Sequence, residues 1–167
     1  MKRNKTLTGI FALAGISVIL SPSAIAEKQI GAFTYEESTD AMTDAYQGFA
    51  HTQSVDNPEM VLAVRCRGDS KDLYVTHSYM IGDDGRSQVM YRFDEKEPSE
   101  YETWDLSTDN RASFLKVYKM ERIAQGAIKS NRVIFRVQDP HDGETNTGTF
   151  ELNGFTRVIN RLRCFDY

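Results

Sequence analysis

Cysteine and histidine are scarce in this sequence, and no long apolar run follows residue 26. Each scarcity excludes something. The three histidines, His51, His77 and His141, show neither HExxH nor the short His/Cys spacings of zinc sites. No CxxC pair is present. No serine stands in GxSxG or SxxK, and both GxGxxG and the phosphate-binding glycine loop are missing. The expectation is therefore a protein without catalytic residues, metal or cofactor. Nothing after residue 26 is long and apolar enough to cross a bilayer, which takes about 20 residues. Internal repeats, low-complexity segments and long linkers are absent as well.

What is present begins with the first residues, MKRNKTLTGIFALAGISVILSPSAIAEKQ. Lys2, Arg3 and Lys5 make a basic start, and Leu7 to Leu20 carry no charge. Ala24-Ile25-Ala26 then form a small-x-small site before Glu27. This is the pattern of a secretory signal peptide, cut after Ala26. As an uncleaved anchor the run is short, and Pro22 interrupts its end. No cysteine follows it, which argues against a lipoprotein. The expected organisation is a signal peptide over 1–26 and a single exported domain over 27–167. No transmembrane anchor would remain after cleavage. The short basic start points to bacterial export, hence to the periplasm, with full secretion as the alternative.

Removing residues 1–26 takes away three basic residues and no acidic ones, leaving 17 basic against 24 acidic, a formal charge of −7. Nucleic acid needs basic neutralisation of its phosphates, so it is a poor partner for such a chain. Anionic lipid is a poor partner too. The two cysteines, Cys66 and Cys164, gain meaning from the exported setting. An even pair in an oxidising compartment allows one bridge. Cys66 lies in VLAVRCRG, which reads as a buried strand, and Cys164 lies near the C-terminus. A Cys66–Cys164 disulfide would close a loop of about 100 residues, worth roughly 4–5 kcal/mol before native strain is subtracted.

Period-two alternation marks about eight strands. They lie in GAFTYEE, AYQGFAHTQS, Glu59–Arg67, Leu73–Tyr79, Val89–Phe93, YETWDLS, NRVIFRVQ and TGTFEL. In the fifth, Val89, Tyr91 and Phe93 share one face, with Met90 and Arg92 on the other. Asp84-Gly85 is a favoured hairpin turn. Two segments change period. Phe114, Val117, Met120, Ala124 and Ala127 predict a helix over 111–125, capped by Asp109 or Asn110 and ended by Gly126. Phe155, Val158, Ile159 and Leu162 predict a second, C-terminal helix. The expected fold class is α+β, a mostly antiparallel, sandwich-like sheet with two helices.

Candidate chemistry is thin. His77 falls on an apolar strand face and reads as a satisfied core histidine. Asp139, His141, Asp142 and Glu144 crowd into DPHDGE, where a cation or an ordinary turn would each use them. Asp40 and Asp44 suit turn capping better than acid–base work. Arg92, Asp94, Trp104 and Ser107 belong to a strand–turn–strand stretch, YRFDEKEPSEYETWDLST. A hairpin there could bring Arg92 and Trp104 together as interface anchors. The competing reading is a core tryptophan with a structural arginine–carboxylate pair.

The order of these features resembles one known family. The chain runs from an exported start through TDAMTDA, LAVRCRG, VMYRFD and a W-x-x-S strand. A helix, RVIFRV and a terminal helix ending in cysteine follow. This resembles the VasI/TagO-like family of type VI secretion-associated periplasmic proteins over about residues 31–167. That family usually carries an aromatic residue soon after its last cysteine, and Phe165 and Tyr167 stand in that region. The resemblance implies a non-enzymatic accessory protein beside an envelope-spanning secretion machine, with an envelope protein or cell-wall component as partner. Cys66, Arg92, Asp94, Trp104, Ser107 and Cys164 match as structural or interface positions. Two other classes stay open. One is an inhibitor module, prophage-encoded in one version, that blocks an envelope or cell-wall enzyme; its acidic charge would suit a basic target. The other is a hydrolase with an unrecognised site.

Overall fold

The computed structural model describes residues 27–165. The expected signal peptide over 1–26 lies outside the described residues, as does Tyr167. Ten strands and two helices follow one another. The strands are β1 (Lys28–Ile30), β2 (Phe33–Thr39), β3 (Tyr46–Gln53), β4 (Val61–Arg67), β5 (Ser70–Thr76), β6 (Arg86–Phe93), β7 (Glu102–Leu106) and β8 (Ala112–Phe114). Helix α1 (Val117–Ile128), β9 (Arg132–Gln138), β10 (Thr145–Glu151) and α2 (Phe155–Ile159) complete the chain.

All strands join one sheet in the order β1-β2-β3-β4-β5-β8-β7-β6-β9-β10. Every pairing between these strands is antiparallel. The α+β class is thus as the residue pattern implies. The sheet curls until its ends touch. Ala32 N–H, between β1 and β2, donates to Asn153 O at 2.8 Å, and Val55 N–H, just after β3, donates to Thr149 O of β10 at 2.9 Å. Asp56 completes that seam, accepting the Thr149 N–H and hydroxyl, each at 2.7 Å. The Ser54 hydroxyl, followed by these bonds from Thr149, pulls the Asp56 pKa down to about 2. The exposed edge of β10 is thereby covered rather than left as a template for strand addition.

Period two explains the core. Phe33, Tyr35, Leu62, Val64, Val75, Val89, Trp104, Phe135 and Phe150 turn inward and are buried. α1 adds Met120, Ile123, Ala124 and Ala127, one stripe at helical spacing. α2 adds Phe155, Val158 and Ile159. The Asp84-Gly85 turn forms as its sequence predicts: φ is 49° and 68°, and Asp83 and Arg86 exchange backbone hydrogen bonds. It closes only the isolated Asp83–Arg86 bridge, and the expected hairpin does not form, because β5 and β6 on either side of it are not neighbours in the sheet.

Three expectations about the first helix need correction. The predicted helix over 111–125 starts later, at Val117, because Ala112–Phe114 is drawn into the sheet as β8. There it fills the gap between β5 and β7. The supply of sheet partners outweighs the helical spacing of Phe114 and Val117. Asp109 and Asn110 do not cap the helix; Lys116 occupies that position without a side-chain cap. Gly126 does not end it either. It lies inside α1, where any Cβ would strike the Phe93 ring.

The disulfide is present. Cys66 and Cys164 are joined with Cα atoms 5.8 Å apart across 98 residues. Regular helix stops at Ile159, but Leu162 still reaches the core at 1% exposure. Its N–H bonds to the carbonyls of Val158 and Ile159 continue the turns. That packed stripe delivers Cys164 to β4 within bridging geometry.

Candidate functional site

Of the two readings of Arg92 and Trp104, the core tryptophan is the one found, and the two do not form a shared surface. In the β6–β7 ladder Trp104 stands opposite Ser87, five positions from Arg92. An odd offset along a strand puts two residues on opposite faces. Trp104 is fully buried, packed edge-on to Phe135 at 5.8 Å, and cannot be an exposed interface residue. Asp94 and Ser107 brace turns. The Asp94 carboxylate accepts the N–H groups of Asn131 and Arg132, each at 3.0 Å. The Ser107 hydroxyl donates to Asp109 at 2.5 Å and accepts from Arg111 and Ala112 N–H. Of the four, Arg92 alone reaches an open surface that the turn hydrogen bonds do not use.

That surface is the outer face of β6 and β9. Their ladder places Met90 opposite Arg136 and Arg92 opposite Ile134. The four side chains alternate as a checkerboard of two guanidinium and two apolar groups. The segment after β6 folds back to wall it in. Ser99 N–H donates to Tyr91 O at 2.8 Å, and Tyr91 N–H donates to the Ser99 hydroxyl at 3.0 Å. Pro98 thereby forms one side of a groove of about 190 Å³ with Met90, Tyr91, Arg92, Ile134 and Arg136.

The cations in this groove lack good anions. Arg92 Nη2 lies 3.4 Å from Glu95, at the long end for an ion pair. Glu95 is also engaged by Arg132. Arg92 Nε is buried without a hydrogen-bond partner among the described residues. Arg136 Nε donates to the Thr147 hydroxyl at 3.2 Å, and no carboxylate pairs with Arg136 among the described residues.

The other candidate residues are structural. His77 is 4% exposed, with Nδ1 2.7 Å from Ser78 O and Nε2 2.9 Å from Ser113 Oγ. Ser113 in turn meets Ser87 at 2.7 Å. Burial lowers the His77 pKa, partly opposed by the Ser78 carbonyl and the Asp109 and Asp139 carboxylates. This serine–histidine pair is no nucleophile for a substrate: Ser113 is fully enclosed, and a carbonyl, not a carboxylate, orients the ring. Asp139 is 2% exposed and accepts the N–H groups of Ile81, Gly82 and His141. Burial pushes its pKa up, and those hydrogen bonds outweigh it and hold the pKa below the usual carboxylate value. Asp40 caps its turn, bonded to Met42 N–H, Thr43 N–H, the Thr43 hydroxyl and Gln47. His51 stacks on Phe49 at 5.0 Å. Among the described residues no group of three His, Cys, Asp or Glu side chains is placed to hold a metal ion.

No protein-family model matches the chain, and no curated protein matches it. Among solved structures, the chain is similar to the crystal structure of invasion associated protein B from Bartonella henselae. The likeness covers 82% of this chain and 95% of that one, with a TM-score of 0.54 and 13% identity. The two share a fold. At that identity the likeness says nothing of a shared activity.

Sequence reasoning missed Met90, Ile134 and Arg136 as site residues. Their outward parity was legible, since Met90 and Arg92 alternate with Val89, Tyr91 and Phe93. The pairing of β6 with β9, which makes a surface of them, was not.

Proposed function

We propose that the protein is a non-enzymatic binding module of the periplasm, serving as an accessory to an envelope assembly of the type VI secretion kind. One observation carries the reading. The outer face of β6 and β9 holds two under-paired arginines beside two apolar side chains in a walled groove. Arginine is among the commonest interface anchors because its planar fork binds bidentately and its stem packs. The Cys66–Cys164 bond supports the compartment, since disulfides persist where the medium is oxidising. The motif order that resembles the VasI/TagO-like family supports the secretion setting.

A photo-reactive residue at position 90 tests it, placed in the full chain expressed in bacteria and irradiated in the intact envelope. The expected result is a discrete cross-linked envelope partner whose yield falls at least severalfold when Arg92→Ala is added. Absence of any cross-link at position 90, with the protein folded and oxidised, overturns the reading.

A further inference from the structure

The geometry points to the chemistry of the groove's occupant: an extended segment of a partner protein in which a carboxylate and an apolar side chain stand two residues apart. This rests on the binding-module reading above and specifies its partner.

The argument starts from spacing. Arg92 and Met90 are two residues apart on β6, and Arg136 and Ile134 are two apart on β9. Same-face neighbours along a strand lie about 6.5–7 Å apart. An extended peptide laid along β6 or β9 repeats its own same-face side chains at that interval. An acid–x–apolar pattern therefore meets a guanidinium and an apolar group in turn on either strand. The two arginines face each other diagonally, about 7–8 Å apart at their Cα atoms, so a carboxylate laid between the two strands is within reach of both long side chains.

Charge supports the same occupant. The exported chain is acidic overall, −7 over residues 27–167, yet this groove concentrates cations with little anion of its own. The Arg92 guanidinium, its side chain 36% exposed and its Nη2 in only a long 3.4 Å contact with Glu95, presents its outer nitrogens to an incoming carboxylate, and hydrogen bonds to charged partners are the strong ones. Arg136 is exposed and keeps its terminal nitrogens for the same purpose. A purely anionic ligand would leave Met90, Ile134 and Pro98 unused. A purely apolar one would cover the exposed arginine head groups without pairing them, at a cost in affinity.

The test uses fluorescein-labelled nonapeptides and the oxidised chain 27–167. SESLSESLS carries the pattern, SKSLSKSLS reverses the charge and SESSSESSS removes the apolar side chains. The expected result is binding of the first alone. Amide NMR shifts should centre on Met90, Arg92, Ile134 and Arg136, and affinity should fall about tenfold for Arg136→Ala. Arg136→Lys should recover only part, because it restores charge but not the fork. Arg136 projects outward, so its variants should fold, as near-ultraviolet circular dichroism will verify. Equal binding of SKSLSKSLS, an affinity indifferent to Arg136→Ala, or no shifts at these residues at millimolar SESLSESLS overturns the inference. If the peptides fail while the cross-link at position 90 still depends on Arg92, the binding-module reading stands and the acidic-partner inference falls.

Discussion

Two arginine sites on the outer face of one sheet have opposite fates. Arg65 on β4 is closed on itself. It bonds the Asp72 carboxylate through Nε at 3.0 Å and Nη2 at 2.6 Å, and its guanidinium lies 5.4 Å from the Tyr74 ring centre and 5.9 Å from that of Phe114. Those two rings stack at 4.7 Å. Arg92 and Arg136, on β6 and β9, have the same outward parity but no such companions. The cross-strand neighbour makes the difference. Arg65 stands opposite Asp72, whereas Arg92 stands opposite Ile134 and Arg136 opposite Met90. An arginine whose cross-strand neighbour is a carboxylate stabilises the sheet. One whose neighbour is apolar is left available for something else.

The halves also differ in how they are held, and that sets the largest expected effect. The disulfide ends on β4, in the half that carries Arg65. Cys164→Ser should lower stability by about 2–5 kcal/mol in chemical denaturation, the usual range for losing a native bridge from a small domain. Hydrogen exchange should rise most in β3, β4 and the segment after α2. Equal loosening of β6 and β9 would erase the distinction between the halves.

Next in size is Arg65→Ala, which removes a partly shielded ion pair and a stacked cation at once. A loss of about 1–2 kcal/mol is expected from a urea midpoint. The matching change Arg136→Ala should stay within about 0.5 kcal/mol, as outward substitutions away from any network do. A larger loss for Arg136 than for Arg65 would invert the comparison.

A pH titration tests the joint between the halves. His77, Ser113 and Ser87 link the end of β5 to β8 and β6 by side-chain hydrogen bonds. Burial depresses the His77 pKa, so the unfolded chain binds the proton more readily. Its stabilising contribution is complete above the unfolded value of about 6.5 and is lost as pH falls towards the folded value. Stability should therefore decline from pH 7.5 to pH 5, and His77→Gln should flatten that slope. An unchanged slope in the variant would remove His77 from the joint.

The smallest effect expected is at the sheet seam. The Asp56 pKa of about 2 means that its contribution is present above about pH 4 and fades as pH falls towards 2. Asp56→Asn should remove this acid-side dependence and lower the midpoint slightly at pH 7, where the contribution is fully present but screened by solvent.

How much of this was legible follows from parity and range. The main strands, the Asp84-Gly85 turn and the α1 stripe are local patterns. β1 and β8 were missed because three residues are too few to show a period, and their hydrogen bonds come from distant partners. Phe114 continued the helical spacing and so misled; it is an outer-face strand residue stacked on Tyr74. Gly126 looked like a stop, and only the Phe93 ring against it explains its place inside the helix. Arg92 was found as a surface residue, but whether Trp104 stood beside it or in the core stayed open, because neither register nor face is visible until the β6–β7 ladder is known.

By itself the sequence determined which side of each main strand faces the core, that the C-terminal stripe would dock, and which two cysteines would meet. Alternation, helical spacing and a single available pair are properties of the chain read in order. The tertiary structure alone decided that β8 would part β5 from β7 and that β6 would lie against β9. It alone placed Arg92 and Arg136 across from Ile134 and Met90. Those are choices among pairings far apart in sequence, settled by the closure of one sheet around one core, and no local pattern carries them.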